Sequence, residues 1–102
     1  MWNLPKIELG AGRPLYVETS AYAEGGATAI TLLTENGSPF LKLTVNVPDI
    51  PLEDGEILVK TWSENEPYIP LILETGYFKD TGKRVKLQFV EASVWTIPGE
   101  KK

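Results

Sequence analysis

ATAITLLTENGSPFLKLTVNV, residues 27–47, places two runs of β-branched and apolar residues on either side of Asn36-Gly37. Asn-Gly is the preferred centre of a two-residue type I′ turn, because both residues enter the positive-φ region at low cost. With Glu35 facing Ser38, Leu32 pairs with Leu41, Ile30 with Leu43 and Thr28 with Val45, which gathers apolar side chains on one face. Leu41, Leu43, Val45 and Val47 alternate with Lys42, Thr44 and Asn46, the period of a half-buried strand. The stretch predicts an antiparallel hairpin and therefore a sheet-based fold.

The flanking segments extend that sheet. PLYVETSAY (14–22) is rich in β-formers and reaches the hairpin through Glu24-Gly25-Gly26, so a three-strand meander is expected. KIEL (6–9) adds a short edge strand. Gly10-Ala11-Gly12 has the look of a phosphate loop, but no third glycine follows at the required distance and no helical pattern opens, which favours a structural turn. Beyond the hairpin, PDIPLEDG (48–55) is a proline-rich turn, and EILVKTW (56–62) reads as a strand with Ile57 and Val59 on one face. Val85, Leu87 and Phe89 are apolar at odd positions, whereas Val90, Ala92 and Val94 are apolar at even ones. That change of parity predicts a β-bulge or two strand segments meeting at a bend. Asp80-Thr81-Gly82 reads as a hairpin turn, and residues 97–102 as a frayed tail.

One helix is expected within KTWSENEPYIPLILETG (60–76). Ser63 and Glu66 have capping-box spacing, in which the serine oxygen accepts a backbone N–H and the glutamate reaches back to the serine N–H. A helix starting at Ser63 would put Pro70 in its interior, at a cost of about 3 kcal/mol. The regular helix is therefore predicted to begin after Glu66 and to run over 67–75, with Ser63 to Glu66 a turn and Gly76 the stop signal.

The chain has 102 residues, 42% hydrophobic and 24% charged, with net charge −4, which suits one domain. No apolar run approaches the roughly 20 residues of a membrane helix. MWNLPKIELG lacks the basic and apolar regions of a secretion signal, so a cytoplasmic setting is expected. There is no cysteine and no histidine, which excludes thiolate metal sites, cysteine nucleophiles and histidine-based triads. Asn36-Gly37-Ser38 matches a glycosylation sequon, read as accidental without a signal. Neither a cofactor nor a metal is expected, and no catalytic residue is assigned.

LTVNV (43–47), VKTWSENE (59–66), LETG (73–76) and DTGKRV (80–85) together resemble a family of small uncharacterised proteins from bacteria, phages and mobile elements, known as a domain of unknown function. The likeness spans about residues 27–97. Pro67 and Pro70 depart from the more helix-friendly residues of that family's corresponding segment. The resemblance implies a genomic setting and supplies neither an activity nor site residues.

Residues 49–74 carry seven acids against Lys60 alone. A solvated face explains such a bias; an acidic surface for a basic partner is the functional reading. Glu64 and Glu66, as paired carboxylates, would suit acid–base chemistry, but beside a helix start they read as capping and dipole groups. Lys79, Lys83, Arg84 and Lys86 with Tyr77, Phe78 and Phe89 would suit nucleic acid, a reading that the overall charge disfavours. Trp2, Trp62 and Trp95 read as core or rim residues.

The sequence thus predicts a single α+β, mostly β domain: an antiparallel sheet of about five strands with one short helix, about 67–75, packed on it. The expected function is that of a small non-enzymatic protein-binding factor contacting a host or phage protein through Glu53, Asp54, Glu56, Trp62, Glu64, Glu66 and Tyr68. Inhibition of a host defence protein, of anti-CRISPR or anti-restriction type, is one form of it. The alternatives are a small-ligand or nucleotide binder near Gly10-Gly12 or Lys83-Arg84, and a structural subunit that self-associates through an unpaired strand edge.

Overall fold

Strands β3 (Thr28–Leu33) and β4 (Pro39–Lys42) pair antiparallel at the expected place but through a different turn. The computed structural model describes residues 4–9 and 12–97. Within it, the Gly37 N–H donates to Thr34 O (2.9 Å) and the Thr34 N–H to Ser38 O (2.8 Å), which makes the loop three residues long. Gly37 takes φ 88° and Asn36 does not enter the positive region. This is a type I turn closed by a left-handed glycine, in place of the predicted type I′ turn. Asn36 contributes through its side chain, whose Oδ1 accepts from the Thr34 hydroxyl and the Ser38 N–H. The longer loop shifts the register by one residue, and a bulge shifts it back. Leu33 opposes Pro39 and Leu32 opposes Leu41, leaving Phe40 as the extra residue. The Leu32–Leu41 pair therefore survives, and the Leu43 N–H donates to Ile30 O at 3.0 Å.

The predicted Thr28–Val45 pair does not form, because the chain changes sheets at Thr44. The Lys60 N–H donates to Leu43 O (2.8 Å), the Val45 N–H to Leu58 O (3.1 Å), and Thr44 bridges to Val59. The Thr44 hydroxyl accepts the Ile30 N–H at 3.1 Å and bonds the Tyr22 hydroxyl at 2.9 Å. A side chain thus completes the β3 edge that the backbone has left.

The result is a mostly β domain with one short helix, its strands divided between two antiparallel sheets. The first has the order β1 (Lys6–Leu9), β2 (Arg13–Ala21), β3, β4, and contains both the expected meander and the expected edge strand. The second has the order β5 (Glu56–Val59), β7 (Glu91–Thr96), β6 (Lys79–Lys86). The parity change near Phe89 marks the hairpin between β6 and β7, closed by the Leu87 N–H on Val90 O at 2.8 Å. Asp80-Thr81-Gly82 is not a hairpin turn; it is a bulge inside β6, where Asp80 opposes Trp95 and Arg84 opposes Ser93. Local turn chemistry holds the bulge: Asp80 Oδ1 accepts the Gly82 N–H (2.9 Å), and the Thr81 hydroxyl donates to Val94 O (2.7 Å).

Two apolar clusters follow from this arrangement. The inner one lies between the sheets and includes Leu15, Val17, Ile30, Leu32, Leu43, Ile57, Val59, Ile72 and Trp95, all fully buried or nearly so. Burying each such side chain contributes roughly 1.5–3 kcal/mol. Ile57 and Val59 share this face as expected, while Leu58 points the other way into an outer cluster with Ala92 and Val94. Ile97 is also buried, and its N–H donates to Gly55 O at 3.1 Å, so the chain is anchored through this residue rather than frayed from it. Residues 98–102, Trp2, Gly10 and Ala11 lie outside the described residues. Among the described residues no helix is long and apolar enough to cross a membrane.

The helical segment begins as a 3₁₀ turn, Ser63–Tyr68, and continues as helix α1, Ile69–Glu74. Pro67 sits in the 3₁₀ turn and Pro70 at the start of α1, where a missing donor matters least. Gly76 ends the helix as expected, with φ 79° and its N–H on Leu73 O at 3.1 Å. The capping box is absent. Trp62 is the cap residue and no side chain caps the turn, while Ser63 itself takes φ 62°. A left-handed non-glycine residue costs roughly 1–2 kcal/mol. Ser63→Gly is therefore expected to raise the unfolding free energy by about 0.5–1 kcal/mol in urea denaturation. A loss of about 1 kcal/mol would instead mean that the Ser63 hydroxyl acts as a cap.

Candidate protein-binding surface

Asn65 fixes the turn that carries most of the aromatic and acidic candidates. Its side chain is fully buried, and Nδ2 donates to Lys42 O and to Lys60 O, both at 2.9 Å. Those carbonyls end β4 and follow β5, so one amide ties the 3₁₀ turn to the place where the chain changes sheets. Trp62 and Tyr68 leave this turn toward different clusters. Tyr68 packs on the inner one, edge-to-face with Phe40 at 5.2 Å. Trp62 is half-buried and packs on the outer one, as Val85 and Leu87 also do.

The predicted contact residues fall into two groups. Glu53, Asp54 and Glu56 lie at the start of β5, and Trp62, Glu64, Glu66 and Tyr68 beyond its end. A strand rises roughly 3.3 Å per residue, which separates the two groups along the length of β5. Glu56 is not available to a partner. Its side chain is only 7% exposed, its Oε1 accepts the Glu53 N–H (2.9 Å), and its Oε2 pairs with Lys83 Nζ. This contact fastens the 48–55 loop to the β6 bulge, and it raises the Lys83 pKa. Glu64 is exposed and accepts from Lys60 Nζ at 2.8 Å; that bond, aided by the Ser63 hydroxyl, lowers its pKa to about 2. Glu53, Asp54 and Glu66 are exposed.

Within the basic segment one aromatic residue and two cations are engaged by the fold itself. Phe78 is buried against Trp95, with ring centroids 5.8 Å apart. Lys83 is held by Glu56, and Arg84 is bidentate to Asp80 at 2.9 and 3.0 Å, which lowers the Asp80 pKa. Among the described residues no group of three or more His, Cys, Asp or Glu side chains is placed to hold a metal ion.

Phe89, which the sequence groups with the basic run only under the disfavoured nucleic-acid reading, is set apart from that run by the fold. It stands at the tip of the β6–β7 hairpin and is 89% exposed, the large hydrophobic side chain that the described fold leaves in solvent. Its position at the parity change was the available signal, since a turn residue belongs to neither face of a sheet. The Thr61 hydroxyl donates to Glu91 O at 3.2 Å, which brings the start of the 3₁₀ turn against the base of this hairpin. Trp62 and Leu87 pack on the same outer cluster, and Phe89 stands on the hairpin at that end of the second sheet, with the exposed acids Glu64, Glu66 and Glu91 in the same two segments. Comparison of the chain with protein-family models, with curated proteins and with solved structures finds no match. The geometry of this surface is thus what a functional reading rests on.

Proposed function

We propose that this chain is a small protein-binding domain without catalytic chemistry of its own, and that it docks its partner through Phe89, Trp62 and Leu87. The observation that carries the reading is the exposure of Phe89. A phenylalanine held in water by a hydrogen-bonded turn contributes little to the fold, whereas aromatic anchors dominate protein interfaces. The acids in the same segments suit a partner with an apolar pocket rimmed by lysine or arginine. In the setting implied by the family resemblance, that partner is a host protein, and inhibition of a defence nuclease is the concrete form; this version is supported by the resemblance alone.

Phe89→Ala separates binding from folding. It is expected to change the unfolding free energy by no more than about 0.5 kcal/mol and to weaken partner binding at least about tenfold. A photo-crosslinking side chain at position 89 should capture a protein that wild-type chain competes away and the equally stable Phe89→Ala chain does not. Equal competition by the two chains would refute the reading.

A further inference from the structure

The two sheets treat their outer strands differently. β6 is one of the two outer strands of the second sheet, and it carries both the Asp80–Arg84 bulge and the exposed cations Lys79, Lys83, Arg84 and Lys86. Bulges and edge cations are the devices that block strand addition. β1 is one of the two outer strands of the first sheet, carries a single cation, Lys6, beside the acid Glu8, and has no bulge; its register against β2 is unbroken from Lys6–Tyr16 to Leu9–Arg13. The Val17 N–H donates to Pro5 O at 2.8 Å, so odd-numbered residues of this segment exchange bonds with β2. The alternation of an antiparallel ladder then turns the N–H and C=O groups of Lys6 and Glu8 away from the sheet. No described residue bonds those groups. Ile7 and Leu9 are buried, while the Lys6 and Glu8 side chains are 51% and 56% exposed, 3.9 Å apart on the opposite face. Beside the strand an open cleft runs between Lys6-Ile7-Glu8 and Thr75-Gly76-Tyr77.

We propose that β1 pairs antiparallel with β1 of a second copy about a two-fold axis at Ile7, with Lys6 opposite Glu8 of the partner subunit. Charge selects this arrangement. Strands bond through groups that point at each other, so Lys6 or Glu8 must oppose Lys6 or Glu8 of the partner subunit. Registers centred on Lys6 or on Glu8 set like charges across the axis and use one outward residue of β1. The register centred on Ile7 uses both outward residues and puts opposite charges across the axis twice. The segment KIE is thus self-complementary when inverted, as an isologous contact requires. The two first sheets become one continuous sheet. Because the strand has 4 residues, the contact is small and the association weak.

Sedimentation equilibrium between about 10 μM and about 1 mM tests this, a range chosen for a weak contact. The weight-average mass of the wild-type chain should rise above the 11.3 kDa monomer. Lys6→Glu and Glu8→Lys lie on exposed side chains, so both variants should fold, and each should weaken association at least about tenfold by opposing like charges. An equimolar mixture of the two should associate again, as should the double variant with both changes. A monomer at every concentration overturns the proposal. So does association of the single variants at wild-type strength, or failure of both the mixture and the double variant to restore it. Phe89→Ala should leave self-association unchanged, which keeps this contact distinct from the partner surface.

Discussion

Replacing Asn65 with alanine is expected to lower the unfolding free energy by about 2–4 kcal/mol in urea denaturation, with an unchanged m-value. The side chain donates two buried hydrogen bonds, to Lys42 O and Lys60 O. Its removal leaves carbonyl groups at the sheet crossing without donors, each costing about 1–3 kcal/mol. Asn65→Leu should be no better, since added apolar volume supplies no donor. Asn65→Asp is the sharper variant, because the introduced carboxylate turns an acceptor toward two carbonyl oxygens. Burial and those oxygens raise the pKa of the introduced group above its unfolded value of about 4. The sign follows from linkage: the penalty is smallest below pH 4 and grows as pH rises. The stability difference between Asn65→Asp and wild type should therefore shrink on acidification. A difference that widens toward low pH would refute this account of Asn65.

Asn65 also shows where sequence patterning stops being informative. The hairpin at 27–47 was legible because Asn-Gly and strict alternation act between near neighbours in the chain. Even there the turn type differed, and the register survived because a bulge at Phe40 offset the longer loop. The role of Asn65 depends on carbonyls 23 and 5 residues away in the chain, and no short motif encodes that meeting. Ser63 and Glu66 matched a capping box by spacing, but Asn65 draws the turn inward and Ser63 takes a left-handed φ instead. Tertiary hydrogen bonding overrode the local signal.

The site divides along the same line. Charge counting grouped the acids of 49–74 into one surface, because it ignores that a strand carries its two ends apart. Glu56 went inside because its carboxylate holds Lys83 and the Glu53 N–H together. Phe89 was visible in the sequence but attached to the basic run, since the parity change was not resolved into a turn. Of the predicted set, Trp62, Glu64 and Glu66 share the end of the sheet that Phe89 occupies. The same turn that Asn65 anchors presents Trp62, so loosening it should disturb the surface as well as the fold.

Trp95→Ala should have the largest effect of any single substitution, a loss of about 3–5 kcal/mol. Trp95 sits on β7, the central strand of the second sheet, opposite Ile57 on one side and Asp80 on the other. It is fully buried and tilted against Phe78 in the inner cluster, so truncation opens a cavity where both sheets and the helical segment meet. A domain of this size has a total stability of about 5–15 kcal/mol, and the variant would lose much of it. The indole Nε1 is buried without a hydrogen-bond partner among the described residues, which separates the two properties of the residue. Trp95→Phe keeps most of the apolar contact and removes a polar group that burial penalises. Its cost should be less than half that of Trp95→Ala in parallel denaturation curves. Equal losses would mean that the N–H is satisfied in solution and that the polar end of the indole, as well as its volume, holds the core together.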